Sequence, residues 1–341
     1  MSGVLLGLPA TAFAQTFVPC NGAALQSAVA NADTAGGGTL SLTPGCTYTL
    51  TTPDNPDNGL AIITTPIRIN GNRATITRSS ATDFRFFQVD PSGNLTLDAM
   101  TLSNGRSSTH GGAILVDSAA GLTLSASTAT GNTATFTGGG IANLGGTVVI
   151  NTSTLSHNTA LEGGGLENAL GGTTTFNGST VIGNHVTATG GGIAITGGSA
   201  TLTNTRIDGN DATGPNAQGG GMYNQVTVTL TGSPIINNIA NGATARGGGL
   251  INNAGTLNVT NSPIVGNTAM GTNARGGGID NDLGGTTTLQ GVSVVNNRAV
   301  GSGADGGGIF REDGTVTLSA TSVAGNQPNN CGSFSTVFGC S

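Results

Sequence analysis

Lysine and tryptophan are absent from this sequence, and charged and aromatic residues are scarce. Among 341 residues there are 10 arginines and 16 acidic residues, so that 8% of the chain is charged and the net charge is -6, whereas soluble domains average roughly 25% charged residues. Nucleic-acid grooves and anionic membrane surfaces are recognised by clustered basic side chains. The composition therefore argues against a nucleic-acid partner and against a membrane-surface partner.

Long hydrophobic runs are also missing beyond the N-terminus, so the sequence predicts no transmembrane segment. Residues 4–14 form a short apolar stretch that ends in Ala12-Phe13-Ala14, the small-x-small pattern that a signal peptidase reads. This pattern predicts a signal-peptide remnant at 1–14, a mature chain that starts at Gln15, and an extracellular location.

Only four cysteines are present, two near each end of the chain: Cys20 with Cys46, and Cys331 with Cys340. An even number of cysteines paired locally is typical of disulfides in an exported protein, whereas a metal site would bring its cysteines in closely spaced pairs. We therefore expect two structural disulfides, no cysteine metal site and no cofactor.

Glycine and asparagine, by contrast, are abundant and periodic. A glycine cluster followed by an aliphatic residue recurs eight times between positions 111 and 309, and an asparagine recurs in phase with it. The intervals between these asparagines are 26, 26, 26, 28, 29, 30 and 29 residues, a spacing typical of solenoids. The series comprises Asn132, Asn158, Asn184, Asn210, Asn238, Asn267, Asn297 and Asn326, with Asn104 expected to start it. We expect these amides to stack as ladders.

Aliphatic or aromatic residues stand eight and three positions before each of these asparagines, in segments that alternate with period 2. Such alternation predicts strands with one face inward. We expect an all-β parallel β-helix of about ten coils with about three strands each, in a monomer. Leu25, Ala28, Val29 and Ala32 lie on one face of a predicted N-terminal capping helix. The expected organisation is a cap at 15–59, repeats at 60–326 and a disulfide-closed cap at 327–341.

The repeats resemble those of known secreted proteins. The Gly-Gly-Gly-Ile segments and the Ser-Thr-x-x-x-Asn pattern, as at Ser153 to Asn158, resemble the repeats of polymorphic outer-membrane proteins. Over roughly residues 60–330 the chain resembles right-handed parallel β-helices of the pectin-lyase-like superfamily. The resemblance implies the fold, and it leaves the function open because this fold hosts hydrolases, lyases, adhesins and scaffolds.

One cluster of carboxylates could carry catalysis. Asp280 and Asp282 stand two apart on a predicted strand, about 6.5 to 7 Å from each other, and Glu312 falls one coil further on. This spacing suits the acid and base of an inverting glycoside hydrolase, and three stacked carboxylates could also hold Ca²⁺. The alternative is a solvated acidic face on which Arg275 pairs with Asp305.

Loop lengths point to the same end of the rod. The chain takes 5 or 6 positions from the asparagine to the glycines in early coils and 9 in the coils that end at Gly219, Gly247, Gly276 and Gly306. Insertions in a repeat mark one face, often the binding face. We therefore expect ligand-binding residues in or beside these loops, namely Tyr223, Arg246, Arg275 and Asp305.

Threonines form a third candidate surface. Three outward rows of the predicted sheet, containing Thr147, Thr201 and Thr231 among others, make a grid that resembles the Thr-x-Thr surfaces of solenoid ice-binding proteins. Three hypotheses follow: a scaffold or adhesion module that binds an extracellular polysaccharide or cell surface, a polysaccharide hydrolase or lyase, and an ice-binding protein. The first is preferred to the second because the sequence has no tryptophan and only two tyrosines, and aromatic residues usually line the substrate cleft of a polysaccharide enzyme.

Overall fold

The repeats wind into stacked turns. The computed structural model, which describes residues 15–332 and 336–340, is a parallel β-solenoid of about 11 turns, and every pairing between its strands is parallel. The predicted parallel β-helix is therefore confirmed. The predicted signal-peptide remnant lies outside the described residues.

Each full turn contributes one strand to each of four sheets. The sheet that carries the predicted threonine rows is called the threonine sheet. Its twelve strands are, in order, Gln15–Val18, Gly38–Leu42, Pro66–Asn70, Asn94–Asp98, Gly121–Ser125, Thr147–Asn151, Thr173–Asn177, Ser199–Thr203, Thr227–Thr231, Thr256–Thr260, Thr286–Gln290 and Thr315–Ser319.

The sheet that carries Glu167 and Asp280 is called the carboxylate sheet. It has nine strands, of which all but the first follow a glycine cluster: Phe87–Val89, Ile114–Val116, Ile141–Leu144, Leu166–Ala169, Ile193–Ile195, Met222–Asn224, Leu250–Asn253, Ile279–Asp282 and Ile309–Arg311.

The other two sheets lie on either side of the asparagines in sequence. The eleven-stranded sheet consists of Thr47–Leu50, Thr75–Arg78, Thr101–Ser103, Thr128–Thr130, Thr154–Ser156, Thr180–Ile182, Arg206–Asp208, Ile235–Ile236, Ile264–Val265, Ser293–Val295 and Ser322–Ala324. The eight-stranded sheet consists of Arg106–Ser107, Thr133–Ala134, Thr159–Glu162, His185–Thr189, Asp211–Thr213, Ile239–Asn241, Thr268–Met270 and Arg298–Val300.

The expectation of about three strands per coil is wrong, because the segment after each asparagine also pairs with its neighbours. Its inward positions are mostly alanines, such as Ala212, Ala240 and Ala269, which form a separate buried column. Alanine gives a weak hydrophobic signal, so alternation in the sequence does not reveal these short strands.

Positions predicted to face inward are buried in the core. Ile150 and Leu155, eight and three residues before Asn158, are fully buried, as are their equivalents in the turns up to Leu289 and Val294. Helix α1, Gly22–Thr34, begins at Asn21, whose side chain accepts a hydrogen bond from the backbone N–H of Ala24 at 2.7 Å. Its predicted face packs against the core, and both predicted disulfides are present.

The recurring asparagines form a buried amide ladder along the rod. In each step the Oδ1 of one asparagine accepts two hydrogen bonds from the asparagine one turn before it, one from the backbone N–H and one from Nδ2. Asn158 Oδ1, for example, lies 3.0 Å from Asn132 N and 2.9 Å from Asn132 Nδ2. The ladder begins at Gly105, whose N–H donates to Asn132 Oδ1 at 2.8 Å. The expectation that Asn104 starts the series is therefore wrong by one residue, and Asn104 is exposed.

Candidate functional site

The outward residues of the carboxylate sheet are buried, although their position in the strands suggests a surface. They stand in register one per turn, and the glycine before each strand lies against them: a Cβ placed at Gly276 would be 2.7 Å from the backbone N of Asp280. The glycine turns thus fold over the sheet and cover this row, which comprises Leu115, Ala142, Glu167, Ala194, Tyr223, Ile251, Asp280 and Phe310.

The three predicted catalytic carboxylates converge on one guanidinium group. Nε of Arg246 lies 3.1 Å from Asp280 Oδ2, while its two Nη atoms contact Asp282 and Glu312. Asp280 is fully buried and Asp282 is 6% exposed. A solvated acidic face is therefore wrong for these two residues, because Arg246 and the glycine turns cover them.

Arg275 completes this network from the next turn. Its Nη1 lies 3.0 Å from Glu312 Oε1, and its guanidinium stacks 4.9 Å from the centre of the Phe310 ring. Arg275 and Asp305, which were expected to pair, do so through their backbones in a parallel β-bridge. The Asp305 side chain accepts a hydrogen bond at Oδ1 from Asn329 Nδ2 at 2.9 Å. Two guanidinium groups thus face three carboxyl groups.

Burial raises the pKa of Asp280 to about 7; the Arg246 charge opposes this shift and Asp282 adds to it. Arg246, whose Nε lies 3.1 Å from Oδ2, is the partner of the buried Asp280 carboxyl group. Burial thus favours the protonated form of this carboxyl group, and the Arg246 charge favours the ionised form.

A shallow cavity of about 450 Å³ opens beside this network, between the long loops of three successive turns. We call it the loop cleft. All of its lining residues have polar side chains: Asn216, Gln218, Thr244, Arg246, Asn273, Arg275 and Glu312. Of the predicted ligand-binding residues, Arg246 and Arg275 line the cleft, whereas Tyr223 and Asp305 do not.

Tyr223 lies instead in the covered row, two strands before Asp280. Its hydroxyl accepts hydrogen bonds from Gln225 Nε2 and Asn253 Nδ2, both at 2.7 Å. Burial raises the pKa of Tyr223. It packs with Ala194 and Ile251 in a small apolar cluster on the outer side of the sheet.

Glu167 is the residue of this row that sequence reasoning passed over. It is 2% exposed, and burial raises its pKa to about 8. Its Oε1 accepts a hydrogen bond from the Thr196 hydroxyl at 2.5 Å, while Oε2 has no partner. The sequence does contain a signal: when the repeats are aligned, the residues one turn before and one turn after Glu167 are alanines, Ala142 and Ala194, so the glutamate is the exception in this part of the row.

Within residues 15–332 and 336–340, no three His, Cys, Asp or Glu side chains are grouped so that they could hold a metal ion. The carboxylates considered for Ca²⁺ turn toward Arg246. In the same described ranges no helix is long and apolar enough to cross a membrane.

Comparison with solved structures agrees with the fold. The chain is similar to the A-module of the mannuronan C-5 epimerase AlgE4 of Azotobacter vinelandii, with a TM-score of 0.52 and 16% identity over 94% of this chain and 98% of that one. It also matches PfbA, a surface adhesin of Streptococcus pneumoniae, with a TM-score of 0.44 and 11% identity over 90% of this chain and 91% of that one. The chain is a parallel β-helix.

No family model matches the sequence, and no curated protein matches it. Membership of the pectin-lyase-like superfamily and the type of repeat therefore stay predictions. At these identities the solved structures show the fold alone.

Proposed function

We propose that this protein is an extracellular binding module that holds a polysaccharide in the loop cleft. The observation that carries the proposal is the lining of this cavity, which consists of amide, hydroxyl and guanidinium groups from three successive turns and the carboxylate of Glu312 from the next turn. Such groups donate and accept the hydrogen bonds that sugar hydroxyls require. The A-module of the mannuronan C-5 epimerase AlgE4 is an example of a polysaccharide-active protein with this fold.

The cleft repeats along the rod. Gln218, Arg246 and Arg275 are paired through successive backbone bridges, one per turn, and neighbouring parallel strands lie about 4.8 Å apart. A ligand built of repeating units laid along the rod would meet a polar side chain at the equivalent position of each turn. This geometry favours an extended chain over a compact small molecule.

The two disulfides fit an oxidising compartment, where an extracellular polysaccharide would be met. They support, together with the predicted signal peptide, the proposed location.

A binding assay with truncated cleft residues tests the proposal. Gln218→Ala and Asn273→Ala remove side chains that line the cleft and lie outside the ion-pair network. We expect each to weaken binding of a cognate oligosaccharide, found on a glycan array, by about tenfold in calorimetry. Asn177→Ala, an exposed asparagine on the threonine sheet, is the control. Equal affinities of all three variants and the parent protein would refute binding in the cleft.

Binding fits the site better than hydrolysis, because a hydrolytic pair must direct one acid and one base at the substrate. Here every predicted catalytic carboxylate contacts a guanidinium group. Catalysis by Asp280, Asp282 and Glu312 stays a prediction, and release of reducing ends from the bound glycan, abolished by Asp280→Asn, would establish it.

Ice binding is a second candidate, and the regular surface of the threonine sheet favours it. From Gly121–Ser125 to Thr315–Ser319, eight consecutive five-residue strands pair without a register shift. Their three outward rows contain no charged residue, and threonine is the commonest residue in them. The result is a grid of hydroxyl and methyl groups spaced about 4.8 by 6.6 Å.

Thermal hysteresis measures this activity directly. We expect hysteresis in the parent protein and its loss in Thr229→Lys, which places a long cation in the middle of the grid. Thr180→Lys is the matched control, because it lies on the eleven-stranded sheet beside Arg206. A parent protein without hysteresis would exclude this second function.

A further inference from the structure

The loop cleft contains two arginines, yet both are already paired with carboxylates of this chain. Each of the three guanidinium nitrogens of Arg246 contacts a different carboxylate, and Arg275 shares Glu312 with it. Arg275 and Glu312 are each about one third exposed, at 31% and 32%, so these two groups meet the solvent of the cleft. A ligand in the cleft therefore encounters a neutralised pair and no open cationic surface.

An acidic polysaccharide would have to displace Glu312. Arginine binds a carboxylate through two parallel N–H···O bonds, and the ring of Phe310 holds the Arg275 guanidinium in place by stacking. The carboxylate of Glu312, however, contacts both arginines at once. A uronate brought to Arg275 would lie beside Glu312, and like charges in contact are strongly unfavourable at a binding interface.

We propose that Glu312 is the specificity-determining residue of the loop cleft: it occupies Arg246 and Arg275 and thereby restricts the cleft to neutral glycans, excluding polyuronates. Such exclusion by a repulsive group is a common source of specificity. The inference rests on the proposed function, since it names the ligand class of the same cleft.

The wild-type protein provides the first test. Neutral oligosaccharides (gluco-, xylo-, manno- and galacto-series) are compared by calorimetry with oligomannuronate, oligoguluronate and oligogalacturonate of equal length. We expect binding within the neutral set and at least about tenfold weaker binding of every uronate. A uronate that binds as tightly as the best neutral ligand would overturn the inference and leave the proposed function standing. Binding of neither class would overturn both.

Removing the carboxylate provides the second test. In Glu312→Gln, Arg275 loses its ion-pair partner and becomes available to a uronate, so we expect at least about tenfold tighter uronate binding that weakens with added salt. The double variant Glu312→Gln/Arg275→Gln should lose this gain. Circular dichroism confirms that each variant is folded, and Glu312→Ala serves if the glutamine variant is not.

Asp313→Asn is the matched control. It removes the same unit of charge one residue away, where the carboxylate accepts a hydrogen bond from the backbone N–H of Gly284. If Asp313→Asn gains uronate binding as much as Glu312→Gln does, or if Glu312→Gln gains none, Glu312 does not set the specificity.

Discussion

At the scale of single residues, the covered row of the carboxylate sheet contains two acidic side chains whose burial disfavours their ionised form. Glu167 and Asp280 are almost completely buried, and burial raises the pKa of Glu167 to about 8 and that of Asp280 to about 7. Between the unfolded and folded pKa values of such a group the native state binds more protons than the unfolded chain. Stability therefore falls as the pH rises through this window.

Glu167→Gln should remove one part of this pH dependence. Glutamine keeps the oxygen that accepts from Thr196, so we expect its melting temperature to match that of the parent near pH 5. As the pH rises from about 5 to 8 the variant should become more stable than the parent, because the unfolded parent ionises Glu167 while the folded parent keeps it protonated. The difference should reach a few kcal/mol at most, since one pKa unit corresponds to about 1.4 kcal/mol. Thermal melts from pH 5 to 9 measure the difference.

The control for this series is Asp54→Asn, which makes the same acid-to-amide change at an exposed side chain. A Glu167→Gln difference that stays constant from pH 5 to 9 would show that Glu167 is ionised throughout.

The sequence predicts the row in which Glu167 and Asp280 lie, but it predicts an exposed row where the structure has a buried one. Alternation along a strand assigns Asp280 to the outward face, and the register with Ile251 and Phe310 is as expected. It does not show that a glycine turn folds back over that face. Nor does it show that Arg246 reaches Asp282, 36 residues away in sequence, because a long side chain can choose among several acceptors.

At the scale of the elements, the turns are held in register by the asparagine ladder as much as by the strands. Asn210 Oδ1 accepts from the backbone N and Nδ2 of Asn184 at 3.0 and 2.9 Å, and its Nδ2 donates to the Val181 carbonyl and to Asn238 Oδ1, both at 3.0 Å. All of these groups are buried. The ladder is predictable from the sequence, because one asparagine recurs in every repeat even where longer loops extend the repeat from 26 to as many as 30 residues.

Asn210→Ala should be strongly destabilising, because it leaves the Asn184 N–H and the Asn238 Oδ1 short of partners in the interior. A buried polar group without a partner costs about 1–3 kcal/mol, so we expect a loss on the order of 3 kcal/mol in urea unfolding followed by circular dichroism. Asn177→Ala makes the same change at an exposed asparagine and should cost within about 0.5 kcal/mol. Comparable losses in both would assign no special role to the ladder.

At the scale of the whole molecule, the function proposed here depends on a few turns of a modular rod. The loop cleft uses residues between 216 and 312, whereas the turns before Asn210 have short connections between the asparagine and the glycines. In a solenoid each repeat contacts only its neighbours. The early turns should therefore be removable without loss of the cleft, provided that the phase of the repeat is kept.

Deletion of residues 159–184 tests this modularity. Thr159 pairs with His185 one turn later, so the deletion joins Asn158 to the residue that occupies the same place in the next turn and keeps the asparagine ladder in phase. We expect a folded rod shortened by about 4.8 Å that melts cooperatively and binds the cognate glycan within about threefold of the parent affinity. Deletion of residues 159–180, which joins Asn158 to Val181, removes a similar length but shifts the ladder, and it should not fold. If both deletions unfold the chain, the turns are not independent modules; if both fold and bind, the phase of the asparagines does not determine how the turns stack.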